Sequence, residues 1–242
     1  MSFMNYTFRL DLTDFDEYGN FTNSAMLKYL QEAGALHSAS VNMGPNDISK
    51  TGFTWILINW KLQILSRPMW NSNIYVKTWC SKVEKIHTFR DFEVYDENNN
   101  IIAKASSKWV LFNIKENKIE KNIEPYMDLY KLEPFSVFDD FEQKLKEPES
   151  YDFKKDFSVL RRDIDTNHHV NNVSYLKFAY EVLPEDLVTA FDFNNIEIMY
   201  KSSTLLGENY SVLLKKESND FFIVSIKSTD LKTLHAIIYL RK

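Results

Sequence analysis

Two segments of this chain look like copies of one another, and duplication constrains the fold more than any other feature of the sequence. Setting Asp14–Glu32 against Asp163–Glu181, 149 positions later, pairs Asp14 with Asp163, Asp16 with Asp165, Asn23 with Asn172, Lys28 with Lys177 and Glu32 with Glu181. Both segments run on into helical patterns. Met26, Tyr29, Leu30 and Ala33 in the first, and Val173, Leu176, Tyr180 and Leu183 in the second, recur at the three-and-four spacing of a buried face. Gly44-Pro45 and Pro184 are the expected stops.

After each predicted helix come β-rich runs. In the first half these are Thr54–Leu65, Ile74–Cys80, Thr88–Tyr95 and Ile101–Ile114; in the second, Asn195–Tyr200, Tyr210–Lys215, Phe221–Ser228 and Leu234–Arg241. Asp96-Glu97-Asn98-Asn99-Asn100 and Ser218-Asn219-Asp220 are hairpin signals between such runs. Each half therefore reads as a strand, a long helix and several antiparallel strands, an α+β unit in which a meander wraps one helix. The expected organisation is an N-terminal domain over 1–115, a connection over 116–155 with Pro125, Pro134 and Pro148, and a C-terminal domain over 156–242.

Composition excludes several classes. A chain of 242 residues with 44% hydrophobic and 15% aromatic content supports a packed core. Its five glycines form no phosphate-wrapping motif, and a net charge of −5 argues against nonspecific nucleic-acid binding. No stretch is long enough to span a bilayer, and Met1–Leu10 lacks a leader pattern, so a soluble cytoplasmic protein is expected. The single cysteine, Cys80, lies in a strand-like run and reads as a buried structural thiol.

The richest chemistry lies in Asp163–Asn172, where eight of ten side chains are polar, directly before a predicted helix. Asp165, Asn167 and His169 alternate by two, so an extended backbone would place a carboxylate, an amide and an imidazole on one side. Unpaired N–H groups of a helix start, around Val170 and Asn171, would lie beside them, a suitable setting for a developing oxyanion. Asp and Asn are also common turn and cap residues, and Asn172 could simply close the first helical turn. The duplication supplies a control: Asp165 matches Asp16, but Asn167 matches Tyr18 and His169 matches Asn20. An amide and an imidazole that appear in one copy only point to one active site, in the second half. The first half is then free to shape a substrate pocket with residues such as Met26, Tyr29, Trp55 and Trp60, although a packing role suits each one better individually.

The segment Asp165-Thr166-Asn167-His168-His169-Val170-Asn171-Asn172 resembles the Asp-x-Asn-x-His-Val-Asn-Asn run of acyl-ACP thioesterases, and the doubled element order resembles their tandem hotdog domains. The resemblance implies a thioester hydrolase that releases fatty acid from acyl carrier protein, with Asp165, Asn167 and His169 catalytic and water as nucleophile. Val170, Asn171, Asn172, Ser203 and Thr204 are then expected to contact substrate. The family carries a Glu-Cys pair where this chain has Ser203 and Thr204, which removes one candidate for activating water. No cofactor or metal is expected. No Gly-x-Ser-x-Gly elbow supports a serine hydrolase.

Two other readings compete. Asp163 and His168 stand at a spacing similar to that of hotdog hydratases and dehydratases, without the flanking Gly and Pro. A noncatalytic acyl-chain or acyl-carrier binding protein is the other, raised by Ser203 and Thr204. His37, His87 and His235 are scattered and suit structural or surface roles. For partners, Lys154, Lys155, Arg161, Arg162 and Lys201 form a local basic concentration that could meet an acidic carrier protein. A monomer with internal pseudo-dimer symmetry and a homodimer are both compatible with the duplication.

Overall fold

The computed structural model of the chain describes residues 3–141, 144–185, 187 and 193–242. The chain divides into two compact units, 1–141 and 142–242.

In the first unit, β1 (Met4–Arg9) leads through a 3-10 turn into α1 (Asn23–Ser40) and a one-turn α2 (Ile48–Thr51). There follow β2 (Phe53–Ile64), β3 (Asn73–Glu84), β4 (His87–Tyr95), β5 (Ile101–Asn113), the two-residue β6 (Lys118–Ile119) and a one-turn α3 (Glu124–Met127). The strands pair antiparallel in the order β1-β3-β4-β5-β2, with β6 on β5. The second unit has β7 (Phe153–Ser158), a matching 3-10 turn, α4 (Asn172–Tyr180), β8 (Asn195–Tyr200), β9 (Asn209–Lys216), β10 (Phe221–Ser228) and β11 (Leu234–Arg241). Its order is β7-β9-β10-β11-β8, which is the order of the first unit strand for strand. The duplication seen in nineteen-residue segments thus extends to the topology of whole units.

Each helix is held by the face its sequence pattern predicts. Met26, Leu27, Leu30 and Ala33 of α1 are fully buried, and α1 packs on β1 and β3. Burial of such side chains stabilises by about 1.5–3 kcal/mol each relative to exposure. Val173, Leu176 and Ala179 of α4 are buried likewise, with α4 on β10 and β11. Thr22 caps α1 by accepting from the Ala25 N–H at 3.0 Å.

The second helix is shorter than expected. It ends at Tyr180, and Val182 and Leu183 are buried in non-helical backbone, so the periodic pattern outlasts the helix because it also serves burial after the turn. Most of the stretch after Pro184 lies outside the described residues.

The stretch expected as a connection, 116–155, is divided between the units. Ile123, Met127 and Tyr130 pack with Met43, Cys80 and Leu111 in the first, while Leu145 packs with Met199, Ile223 and Ile237 in the second. Phe135 stacks on Trp79 and its carbonyl accepts the Trp79 Nε1–H at 2.7 Å, while the Val137 N–H donates to the Asp91 carboxylate at 3.1 Å and the Phe141 ring meets Phe89 edge to face, which helps explain why β4 is buried at 88–94. Cys80 is buried and unpaired, and burial raises its thiol pKa. The hairpin at Asp96–Asn100 forms as read: the Asp96 carboxylate accepts from the N–H of Asn98 and Asn100, and Asn99 takes φ 63°. Among the described residues no helix is long and apolar enough to cross a membrane.

The first core also holds a polar cluster that periodicity does not reveal. Arg90, on β4, is buried and donates to Nδ1 of His37 at 2.7 Å and to Oγ1 of Thr78 at 3.2 Å. The Tyr130 ring lies beside both, with its hydroxyl donating to Ser38 and accepting from Trp55 Nε1. Burial and the adjacent guanidinium push the His37 pKa down to about 3, so its imidazole is a neutral acceptor.

Candidate active site

The polar segment folds as a closed turn rather than as extended chain. Ile164 and Val170 form an isolated antiparallel bridge. Between them the Asp165 N–H donates to the His169 carbonyl at 2.8 Å, and the His168 N–H to the Asp165 carbonyl at 3.1 Å. The Asp165 carboxylate accepts from the backbone N–H of Asn167 at 2.8 Å and of His169 at 3.4 Å. His168 sits at φ 62°, in the left-handed region. The alternation argument for Asp165, Asn167 and His169 therefore fails. Asn167 and His169 reach solvent from the apex of a turn, while Asp165 is half-buried beneath them and folded onto the backbone.

The first unit repeats each of these bonds and adds one, from the Asn20 side-chain amide to the Asp16 carboxylate at 3.2 Å. Phe15 and Phe21 form the bridge, the Asp16 N–H donates to the Asn20 carbonyl, the Gly19 N–H donates to the Asp16 carbonyl, and the Asp16 carboxylate accepts from the N–H of Tyr18 and Asn20. Gly19, at φ 81°, occupies the position of His168. The flanking aspartates match too: the carboxylate of Asp14 accepts from the N–H of Asp11, and that of Asp163 from the N–H of Leu160. Asp163 and Asp165 thus share their backbone-holding bonds with Asp14 and Asp16, whose copy lacks the histidine. That weakens the hydratase reading of Asp163 with His168.

The expected backbone oxyanion donors are engaged elsewhere. The Val170 N–H donates to the Thr204 carbonyl at 2.9 Å, and the Asn171 N–H to the Asp163 carbonyl at 2.7 Å, just as the Thr22 N–H donates to the Asp14 carbonyl. Closing the turn against these two carbonyls consumes the groups that a bare helix start would leave open. The cap also falls one residue earlier than Asn172. Asn171 is the N-cap, its side chain accepting from the Val173 N–H at 2.9 Å, and Asn172 is the first helical residue.

Of the two residues standing where a Glu-Cys pair was expected, Ser203 is exposed and Thr204 is buried. Thr204 Oγ1 lies 3.0 Å from the Tyr175 hydroxyl, and the Tyr200 hydroxyl donates to the Asn172 carbonyl at 2.9 Å. The Tyr175 and Tyr200 rings meet edge to face, and burial raises the pKa of both hydroxyls. Thr204 is thus a buried brace for the turn. Val170 is buried as well; Asn171 and Asn172 are partly exposed at the helix start.

The chemically free groups are few. Among the described residues, neither the Asn167 amide nor the His169 imidazole makes a side-chain hydrogen bond, and the His169 ring receives none from Asp165. The described residues contain no cluster of three His, Cys, Asp or Glu side chains that could hold a metal. The sequence reading missed the Thr204 brace, whose partners lie on separate elements. It also missed the left-handed turn, although Gly19 in the matching position was the available signal.

Comparisons with known proteins identify the family. Residues 2–130 match the family model for the acyl-ACP thioesterase N-terminal domain and residues 146–240 that for the C-terminal domain. Oleoyl-acyl carrier protein thioesterase 1 of Arabidopsis thaliana, a chloroplastic protein, is 26% identical over 197 residues, covering 74% of this chain and 54% of that protein. A Cuphea viscosissima acyl-[acyl-carrier-protein] hydrolase is 24% identical over 193 residues, covering 73% of this chain and 46% of that protein. The chain thus matches only about half the length of these relatives. Among solved structures, the 12:0-ACP thioesterase of Umbellularia californica superposes with a TM-score of 0.87 at 18% identity, covering 100% of this chain and 97% of that one. An acyl-ACP thioesterase from Bacteroides thetaiotaomicron gives 0.82 at 19% identity, covering 99% and 97%. The structural likenesses establish the hotdog fold in both units, and the family models, which between them span nearly all of the sequence, establish that the chain belongs to the acyl-ACP thioesterase family.

Proposed function

We propose that this chain hydrolyses the thioester of acyl-acyl carrier protein and releases a free fatty acid, with the chemistry carried by the turn at 165–169. The supporting observation is the difference between two otherwise matching turns. The backbone bonds and the bonds from backbone N–H groups to the aspartate repeat in both units, but only the second presents an amide together with an imidazole, Asn167 and His169, at its exposed apex.

In this reading a water oxygen attacks the thioester carbon while its proton passes to the His169 imidazole. The Asn167 amide N–H donates to the carbonyl oxygen as it becomes an oxyanion, replacing the backbone donors that the turn consumes. As the tetrahedral intermediate collapses, the C–S bond breaks and the departing sulfur takes the proton back from His169. Asp165 acts through the turn: its carboxylate holds the backbone of Asn167 and His169, which sets where their side chains project.

The test is thiol release from acyl carrier protein loaded with a fatty acyl chain. Replacement His169→Ala is expected to lower kcat by at least about a hundredfold, and Asn167→Ala by about 10²–10³. Folded His169→Ala protein that turns over as fast as the parent would refute the assignment. A second reading, noncatalytic acyl-carrier binding, is favoured by the absence of a carboxylate at Ser203 and Thr204. It predicts tight binding with no thiol release from any thioester.

A further inference from the structure

Beyond positions 167 and 169, one set of differences between the two copies adds positive charge around the turn. Arg161 and Arg162 in the 3-10 turn before the site stand where the first unit has Leu12 and Thr13. Lys201, whose N–H donates to the His235 carbonyl at the end of β8, stands where Leu65, donating to the Ile102 carbonyl, follows β2. The copy that carries the Asn–His turn is therefore basic at three positions where the other copy is neutral. Among the described residues Arg161 and Lys201 enter no ion pair, and Arg162 Nε lies 4.0 Å from Asp163. The carboxylates nearby are turned onto backbone: Asp163 holds the Leu160 N–H and Glu208 the Leu205 N–H.

These cations border exposed leucines. The Gly207 N–H reaches the Val159 carbonyl and the Val159 N–H the Glu208 carbonyl, which brings the loop 205–208 beside Leu160. Leu160, Leu205 and Leu206 are 44%, 46% and 46% exposed. The same loop joins the site, because Thr204 accepts the Val170 N–H. Exposed apolar side chains on segments that carry two cations outside any ion pair and a third, Arg162, only loosely held at 4.0 Å from Asp163 fit an acidic protein surface with an apolar ridge, where the charges steer encounter and the leucines supply buried contact.

We infer that Leu160, Leu205 and Leu206 with Arg161, Arg162 and Lys201 form the docking surface for the carrier protein, which binds there and presents its acyl thioester to the turn. The inference rests on the thioesterase reading. The first unit has an exposed apolar group of its own, including Met69 at 81% and Trp70 at 59%, but there Lys28 is paired with Asp14 and Arg67 donates to the Phe21 carbonyl and Asn23.

The test compares acyl carrier protein with the same acyl group on pantetheine, a neutral small thiol, using the full chain. Triple replacement Arg161→Glu, Arg162→Glu, Lys201→Glu, and separately Leu205→Ser with Leu206→Ser, should raise KM for the carrier substrate by about tenfold or more. Both should leave kcat/KM on acyl-pantetheine within about twofold, and the charge variant should lose the salt dependence of KM. Arg161→Lys with Arg162→Lys should retain the parent KM. An unchanged KM on carrier substrate, equal losses on both substrates, or a larger loss from Met69→Ser with Trp70→Ser overturns the assignment. So does leucine replacement that converts a dimer to a monomer without moving KM. Titration with unacylated holo-carrier protein separates the two proposals. Charge-dependent binding without hydrolysis of any thioester upholds the docking surface and removes the thioesterase reading; hydrolysis of acyl-pantetheine with carrier kinetics indifferent to these residues does the reverse.

Discussion

Asp165 separates a turn-building role from a charge-relay role, and the two predict effects of different size. Its carboxylate makes one good bond, 2.8 Å to the Asn167 N–H, and one long contact, 3.4 Å to the His169 N–H. A hydrogen bond to a charged acceptor contributes about 1.5–3 kcal/mol, and a contact at the outer limit of distance contributes little. Because the residue is only half-buried, water replaces part of what is lost, so Asp165→Ala should destabilise the second unit by about 1–2 kcal/mol. Asp16→Ala should cost the first unit more, about 2–3 kcal/mol, since its carboxylate accepts the equivalent N–H groups at 3.0 and 2.7 Å and the Asn20 side-chain amide at 3.2 Å as well. Asp165→Asn is the decisive variant, because the amide oxygen keeps both acceptor positions and removes only the charge. Urea unfolding should place it within about 1 kcal/mol of the parent, and thiol release should keep kcat within about tenfold. In a serine-protease triad the same Asp→Asn change costs about 10⁴ in kcat because the imidazole loses its tautomer partner. A loss of that order here, in a folded protein, would show that Asp165 addresses the His169 ring in the reacting complex, and the positioning argument would be refuted.

Two further outcomes are expected. His168 holds a left-handed conformation that its counterpart Gly19 adopts freely, so His168→Gly should be close to neutral in stability and leave turnover intact, whereas Gly19→Ala should cost about 1 kcal/mol; a hundredfold drop in thiol release on His168→Gly would place the reacting imidazole at the wrong residue. His37 is neutral in the folded state with a pKa depressed from 6.5 to about 3, so the unfolded chain binds more protons between those values. Stability is then fully present above pH about 6.5 and is lost as pH falls toward 3. Urea titrations of His37→Gln should show a shallower slope across that window, and an unchanged slope would remove the buried His37–Arg90 pair as its source.

Much of the fold was open to a reader of the residues. The repeated spacing of Asp14, Asp16 and Asn23 against Asp163, Asp165 and Asn172 marked two copies of one unit, and apolar periodicity located both helices and the β-rich runs after them. The hairpin at Asp96–Asn100 was equally legible, because its bonds join residues within a few positions of each other. Errors came where a local pattern served more than one purpose. Leu183 continued the helical period but lies buried beyond the helix, and the alternation of Asp165, Asn167 and His169 looked extended although a tight turn also permits that spacing.

What the sequence determined by itself was therefore duplication, element order, and the difference between the two turns at positions 167 and 169, all of which are relations among neighbours or between aligned copies. The tertiary structure alone decided which polar groups stay open. Val170 N–H finds the Thr204 carbonyl, Asn171 N–H the Asp163 carbonyl and Arg90 the His37 ring. The first and last of these partners are brought together by sheet pairing and helix packing. No residue's own pattern encodes which distant acceptor it will meet, since buried polar groups must be satisfied by whatever the closed fold places within reach.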